Sequence, residues 1–345
     1  MTGQTQNTTK SARSTDLTYI SVLRTVAMIV VVFFHTYGYM YANHFPQSVE
    51  KYRKLYFVPN QCVFINIAMP LFIAISGYLF AYLYEQGKYQ DFWPFLKKKT
   101  LRLLLPFFVF GTLMMLTTGV PFRPWMLYTG SFSHLWYLPA LFWCFPIGWE
   151  LLRYLKDRPL YLSAILGVLL LSNDVAQYFP RILGIHNILR WYEWFLLGQI
   201  LGLYRNQIYS FIDKWHLAIP LLLPFSILSW IFPVEYGESC LYSRLMVGAF
   251  LIGLFAVFAG IQTTSNKLYL GAVWFSKYTF GIYIFHNWVG PYMVSTTAKR
   301  IFPLAQLANN HVILFPFLLS LAILGVSFAL SYALLKTKIG KILIG

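Results

Sequence analysis

The feature that most constrains this sequence is a succession of long apolar stretches, each close to the length of a membrane-spanning helix. Such a helix needs about 20 mostly apolar residues at a rise of about 1.5 Å per residue. About ten stretches meet this rule. They lie at residues 17–40, 58–84, 100–118, 134–152, 159–178, 187–204, 215–233, 241–262, 272–295 and 311–335. The pattern predicts an all-α fold, a polytopic transmembrane helical bundle.

Composition supports a lipid environment. Charged residues make up only 11% of the chain, whereas a soluble domain carries about 25%. The net charge of +16 does not indicate nucleic-acid binding, because the cations lie mostly in short loops between apolar stretches. Three scattered cysteines, Cys62, Cys144 and Cys240, indicate neither a disulfide framework nor a metal site.

The chain divides into a short tail and one membrane domain. Residues 1–15 are polar and lack the apolar core of a signal peptide, so we expect a disordered cytoplasmic tail. Residues 16–345 form the predicted transmembrane domain. An even number of spans places both termini on one side, where alternate loops hold most of the lysines and arginines. The positive-inside rule therefore predicts that both termini are cytoplasmic.

Two polar residues lie in the first apolar stretch. An arginine in hydrocarbon costs about 2.5–3.5 kcal/mol on insertion scales, so Arg24 requires an explanation. His35 follows eleven residues later, which places it on the same helix face about 16 Å along the axis. One alternative is that Arg24 extends to the headgroups and that His35 is an interfacial histidine. The shared face favours the hypothesis that both side chains point into one polar cavity.

Other polar residues are candidates for that cavity. Ser76 lies in the second stretch, and Lys99 and Arg102 lie in the basic segment KKKTLRLLLPFF. This segment suits either a phosphate-bearing ligand or anionic lipid. His134, Trp136 and Tyr137 open the fourth stretch, and His286 lies in the ninth; helix-start and structural roles are the alternatives for the two histidines. Arg190 and Glu193, three residues apart, are interpreted as an interfacial ion pair.

In order, these motifs resemble the acyltransferase-3 family of membrane O-acyltransferases over nearly the whole chain. After the Arg24–His35 spacing come PLFIAISGYLF (70–80), the basic segment before RLLLPFF, HLWYLPALF (134–142), WFLLGQILG (194–202) and SKYTFGIYIFH (276–286). Two positions depart from the family pattern: Ser21 stands where members often carry an acidic residue, and Lys99 replaces one arginine of a pair. No acidic partner for His35 is assigned. The absence of a following esterase-like domain resembles the stand-alone members.

The resemblance implies transfer of an acyl group, commonly acetyl from acetyl-CoA, to a hydroxyl of a cell-envelope polysaccharide or glycolipid at the bacterial cytoplasmic membrane. It implies acyl-CoA as a co-substrate, no bound cofactor and no metal. His35 would be the general base, acting directly or by first carrying the acyl group, and Arg24 would act with it while holding the donor. The other implied roles are donor binding by Arg102, Lys99 and Ser76, and acceptor binding or proton handling by His134, Trp136, Tyr137 and His286.

Two other functions explain polar groups inside the membrane. One is a transporter or flippase for glycolipids or small organic solutes. The sequence shows no inverted pair of broken helices and no paired intramembrane carboxylates, which argues against ion-coupled transport. The other is a scaffold for a polysaccharide synthesis complex, which would act through partners rather than through chemistry.

Overall fold

The computed structural model describes residues 17–43, 66–117, 123–172, 178–231, 241–261, 266–292, 310–311 and 314–345. Within these ranges the regular elements are helical and no strand occurs, which confirms the all-α prediction. The helices are α1 (Thr18–Asn43), α2 (Asn66–Glu85), α3 (Phe92–Lys99), α4 (Leu105–Thr117), α5 (Pro124–Thr129), α6 (Tyr137–Leu155), α7 (Pro159–Leu171), α8 (Ile188–Leu203), α9 (Arg205–Lys214), α10 (Ala218–Ile231), α11 (Leu241–Gly260), α12 (Lys267–Phe275), α13 (Thr279–Tyr292), α14 (Leu314–Leu335) and α15 (Lys338–Leu343).

Four short segments adjust the direction of the chain between helices. A π-helical turn, Thr100–Leu104, joins α3 to α4 without a break. Turns of 3₁₀-helix, Ser133–Trp136, Ile185–Asn187 and Ser276–Tyr278, lead into α6, α8 and α13. The predicted tail, residues 1–15, lies outside the described residues.

Six helical stretches of the described chain are long and apolar enough to cross a bilayer, judged by length and composition. They are Thr18–Tyr37, Ile67–Glu85, Phe92–Thr117, Pro124–Leu155, Ser243–Gly260 and Leu314–Leu335. A shorter apolar helix covers Pro159–Leu171. Multiple apolar helices of this kind are those of a multi-pass membrane protein. The count of ten spans and the cytoplasmic termini stay predictions.

The third span begins earlier than the sequence predicted. Three lysines interrupt the apolar run at residues 97–99, so hydropathy alone placed its start at residue 100. The helix instead starts at Phe92, because α3 turns Phe95 into the core while the lysines occupy its last turn. The π-helical turn then carries the chain into α4 as one continuous span.

The tightest helix contact joins α2 and α8 through glycines. A Cβ atom at Gly198 would collide with the carbonyl of Ala74, and one at Gly202 would lie 2.7 Å from the carbonyl oxygen of Tyr78. Gly77 on α2 meets the backbone of Phe195 in the same way. Small residues four apart let two backbones approach closely, which is a main source of helix association in lipid. This contact fixes the position of α2, which carries Ser76.

A buried ion pair joins α8 to α11. The side chains of Arg244 and Glu193 are 4% and 1% exposed, and Arg244 Nε donates to Glu193 Oε1 at 2.9 Å. The same guanidinium donates to the carbonyls of Leu169 and Leu170 at the end of α7. Glu193 is therefore an interior residue rather than an interfacial one. Sequence reasoning missed Arg244, because its partner lies 51 positions away.

Helix α1 is central to the part of the bundle that holds the candidate site. It packs against α2, α12, α13 and α14. Two hydrogen bonds fix its rotation: Tyr19 OH donates to Tyr78 OH at 2.6 Å, and Thr25 Oγ1 donates to the carbonyl of Ala272 at 2.7 Å. Arg24 lies beside Thr25, so the same contacts determine where its guanidinium points.

Candidate active site

A cavity of about 400 Å³ lies among α1, α2, α3, α6 and α13. Small-molecule sites commonly have volumes of about 300–1,000 Å³. We call it the cation cavity, because five cationic side chains line it: Arg24, Lys98, Lys99, Arg102 and Lys277. No aspartate or glutamate occurs among the described residues of its lining. A concave surface with one sign of charge attracts ligands of the opposite sign, which here means an anion.

Lys99 is held in this cavity by aromatic rings. Its ammonium nitrogen lies 3.6 Å from the ring centroid of Phe145, 5.2 Å from that of Tyr89 and 5.6 Å from that of Phe95. A cation over the face of a ring is attracted by its quadrupole, an interaction that needs no counter-charge. Lys99 therefore keeps its position without a carboxylate beside it.

Tyr89 is a cavity residue that sequence reasoning missed. It lies in the loop between α2 and α3 and has a φ of 64°, which costs a bulky residue free energy of the order of 1–3 kcal/mol. Trp149 Nε1 donates to the Tyr89 carbonyl at 2.8 Å and holds the loop in place. Burial, the larger cause, raises the pKa of the Tyr89 phenol, while nearby Arg102 lowers it. The ring therefore lines the cavity as a neutral phenol.

Arg102 reaches the cavity from the π-helical turn Thr100–Leu104. A π-helical turn within a longer helix is rare and is frequently found at functional sites. Leu103 and Leu104 in the same turn are buried, whereas Arg102 is exposed. The guanidinium thus lies at the open side of the cavity, where a charged ligand would arrive.

The inner side of the cavity is polar but uncharged. Ser76 Oγ donates to the carbonyl of Phe72 at 2.9 Å and lies 3.5 Å from Tyr137 OH. The ring centroids of Tyr137 and Tyr283 are 5.5 Å apart. All three side chains line the cavity, and the Tyr283 ring also contacts the histidines beyond it.

Three histidines meet next to this tyrosine pair. The ring centroid of His286 lies 5.1 Å from that of His35 and 5.0 Å from that of His134, and the third separation is 6.4 Å. We call His35, His134 and His286 the histidine cluster. Tyr283 contacts it, with centroid separations of 5.3 Å to His134 and 6.0 Å to His286. Tyr283 therefore touches both the cation cavity and the histidine cluster.

His134 is fixed by bonds at both ring nitrogens. Nε2 lies 3.1 Å from the carbonyl oxygen of Ile284, which can only accept, so Nε2 carries the proton. Nδ1 is then an acceptor, and Asn287 Nδ2 lies 3.3 Å from it. Ser133 Oγ lies 3.4 Å from the same nitrogen, and Tyr283 OH donates to the His134 carbonyl.

His286 is fixed at only one nitrogen. Its Nδ1 lies 3.1 Å from the carbonyl oxygen of Ile282, one turn earlier in α13, and therefore donates to it. Its Nε2 is buried and has no hydrogen-bond partner within the described part of the chain. His286 is 2% exposed, so this free lone pair lies in the interior of the bundle.

The three imidazoles do not form a metal site. No group of three or more histidine, cysteine, aspartate or glutamate side chains among the described residues is arranged to hold a metal ion. Both nitrogens of His134 are already engaged, which removes it as a ligand.

The predicted residues therefore separate into two groups. Arg24, Ser76, Lys99, Arg102 and Tyr137 line the cation cavity, and the three histidines form the cluster. His35 is not part of the cavity lining, and the single polar cavity expected for Arg24 and His35 stays a prediction. Trp136 belongs to neither group, because its ring packs on Trp191 at a centroid distance of 5.0 Å.

Sequence reasoning also missed Lys277, Tyr283 and Asn287. Lys277 and Tyr283 lie within the motif SKYTFGIYIFH, and Asn287 follows it directly. In α13, side chains three or four positions apart share a helix face. The spacing of Tyr283 to His286 and to Asn287 was thus available as a signal, whereas Lys277 precedes the helix in the turn Ser276–Tyr278.

A family model described as an acyltransferase domain matches residues 17–336. The match covers both the cation cavity and the histidine cluster. No curated protein and no solved structure matches the chain.

Proposed function

Because the chain belongs to the acyltransferase-3 family, we propose that this membrane acyltransferase moves an acetyl group from cytoplasmic acetyl-CoA to a hydroxyl of a cell-envelope polysaccharide or glycolipid. The observation that carries the proposal is the adjacency of two unlike sites. A cavity with five cations and no aspartate or glutamate among its described lining residues adjoins a cluster of three imidazoles, of which His134 and His286 are buried.

The cation cavity suits the donor. Coenzyme A carries several phosphates, and arginine and lysine bind phosphate oxygens through charge-assisted hydrogen bonds. In our proposal Arg102 and Lys98 at the open side meet the phosphates first. Arg24 binds the donor deeper in the cavity, where its guanidinium offers bidentate contacts that a lysine cannot. The Tyr89 ring, which lines the cavity, supplies a surface on which a planar base stacks.

The path from the donor site to the base follows α1. Eleven residues separate Arg24 from His35, which is about 16 Å of helix. The pantetheine arm is long and uncharged, as required of a group that passes Ser76, Tyr137 and Tyr283. The thioester then reaches the histidine cluster while the phosphates stay with the cations.

His35 is the general base in this scheme. The acceptor hydroxyl gives its proton to the His35 imidazole as its oxygen forms a bond to the thioester carbonyl carbon. The carbon–sulfur bond then breaks, and the proton passes from His35 to the leaving thiolate. The products are the acetyl ester and free coenzyme A. Histidine suits both transfers because its unperturbed pKa lies near neutrality.

Purified protein in lipid nanodiscs, supplied with acetyl-labelled acetyl-CoA and envelope glycans, tests the proposal. We expect label in a covalent ester on the glycan and free thiol in equal amount. Mass spectrometry of envelope glycans from cells with and without the chain identifies the acetylated sugar. Exchange of a glycolipid or solute across the bilayer without covalent labelling would contradict the proposal and favour a transporter.

A further inference from the structure

Within the described part of the chain, no ion pair or hydrogen bond joins His35 to a carboxylate. In many enzymes a histidine base is oriented by a third group that accepts a hydrogen bond from its other nitrogen. The described rings nearest to His35 are those of Phe34, His134 and His286. An acceptor of another kind among these neighbours would serve the same purpose.

His286 offers that acceptor. The bond from its Nδ1 to the Ile282 carbonyl fixes the tautomer, so Nε2 presents a lone pair. This nitrogen is buried with no hydrogen-bond partner among the described residues, and an unsatisfied buried polar group costs about 1–3 kcal/mol. A donor that approaches it recovers this free energy.

His134 is not that donor, and His35 is close enough to be it. The only proton on the neutral His134 ring is at Nε2, which bonds the Ile284 carbonyl. Two imidazoles joined by an N–H···N bond of about 2.9 Å have ring centroids about 5 Å apart. The centroids of His35 and His286 are 5.1 Å apart. This separation suits such a bond once a His35 N–H is directed at His286 Nε2.

We propose that His286 is the positioning residue for His35, in the place that a carboxylate takes in other acyl-transfer sites. Its Nε2 accepts the N–H of His35, which leaves the other His35 nitrogen unprotonated and directed at the acceptor hydroxyl. When His35 takes the substrate proton, the same bond stabilises the imidazolium. The proton stays on His35 until the thiolate receives it, so His286 undergoes no net change.

This inference rests on the proposed function, and paired variants of His286 test it. His286→Asn keeps a donor near the Nδ1 position for the Ile282 carbonyl but removes the acceptor at the Nε2 position. His286→Gln places an amide oxygen near the Nε2 position. We expect His286→Asn to lower kcat for acetyl transfer tenfold to a hundredfold with KM for acetyl-CoA changed less than twofold. His286→Gln should recover at least a third of the lost kcat.

The matched control is His216→Asn, the same substitution at an exposed position far from the cluster in sequence, which should retain wild-type kcat. Equal kcat in His286→Asn and His286→Gln, or a loss that appears only in KM, would overturn the positioning role. A wild-type protein that transfers no acyl group would instead refute the proposed function.

A second measurement does not depend on activity. Solid-state NMR of ¹⁵N-histidine-labelled protein in lipid detects an N–H···N bond as a coupling between two imidazole nitrogens. We expect one such coupling in the wild type and its loss in His286→Asn but not in His216→Asn. A wild-type spectrum without the coupling would overturn the inference whatever the substrate is.

Discussion

The cation cavity and the histidine cluster adjoin each other but hold their polar groups in opposite ways. In the cavity, cations are supported by aromatic rings, as Lys99 is by Phe145, and no aspartate or glutamate side chain occurs among the described lining residues. In the cluster, backbone carbonyls of α13 fix the rings of His134 and His286. The cavity thus leaves charge available for a ligand, while the cluster restricts its groups to set orientations. Binding and chemistry should therefore respond separately to mutation.

The largest effect is expected from His35→Ala. Loss of a general base typically lowers the rate about 10²–10⁴-fold, so acetyl transfer should fall by that factor. The affinity for acetyl-CoA should stay within about twofold, because His35 is not part of the cavity lining. Label-transfer kinetics and calorimetric titration measure the two quantities, with membrane insertion checked by fractionation. Normal acylation in this variant would remove His35 from the mechanism.

Arg24→Ala should weaken acetyl-CoA binding rather than slow the chemical step. A hydrogen bond to a charged group contributes about 1.5–3 kcal/mol, so KM for acetyl-CoA should rise about tenfold to a hundredfold. Arg24→Lys keeps the charge but loses the bidentate geometry, and its rise should be smaller. Steady-state kinetics with the donor varied measures both. Equal effects of the two substitutions would show that guanidinium geometry is irrelevant here.

A substitution in the contact between α2 and α8 should affect the cation cavity and the histidine cluster alike. Gly198→Ala puts a Cβ into the carbonyl of Ala74, and overpacking of this kind costs about 1–3 kcal/mol. We expect a lower thermal midpoint, and a reduction of donor binding and transfer by similar factors. Gly167→Ala is the control, because a Cβ there meets nothing within 4 Å. An unchanged midpoint in Gly198→Ala would mean that α2 and α8 are not closely packed.

The smallest effect is expected from Tyr89→Gly. This substitution should weaken the use of acetyl-CoA while changing the stability of the protein little. Glycine adopts a φ of 64° without the steric cost that tyrosine has. This gain offsets the loss of the ring contacts with Phe80 and Phe95, so the thermal midpoint should change little. The donor loses a stacking surface, and KM for acetyl-CoA should rise several-fold, since stacking contributes about 0.5–1.5 kcal/mol. Tyr89→Phe, which keeps the ring, should resemble the wild type. A KM unchanged in both variants would exclude the ring from donor binding.

Sequence reasoning predicted more of the fold than of the site geometry. Apolar runs gave the helices, because hydropathy and helix length in a bilayer are local properties. The spacing of Arg24 and His35 predicted two polar positions on one helix face. It did not reveal that Tyr283 joins Tyr137 in the lining of the cation cavity, because the tyrosines come from α13 and α6 and only packing brings them together.

The same reason explains the partners that were missed. Arg244 binds Glu193 from a helix distant in sequence, and Tyr89 enters the cavity through a loop conformation that hydropathy does not encode. His286 was a candidate from its motif alone. Its free Nε2 depends on a tautomer that the Ile282 carbonyl sets, and such a detail follows only from coordinates.

Equilibrium binding of acetyl-CoA to the wild type, Arg24→Ala and His35→Ala, measured in the same lipid, tests the division between the two sites most directly. Binding by His35→Ala should match the wild type, while Arg24→Ala should bind at least about tenfold more weakly, as expected for loss of a charge-assisted contact. Equal weakening in both variants, or none in Arg24→Ala, would contradict a donor site built on the cation cavity and a separate site of chemistry at the histidines.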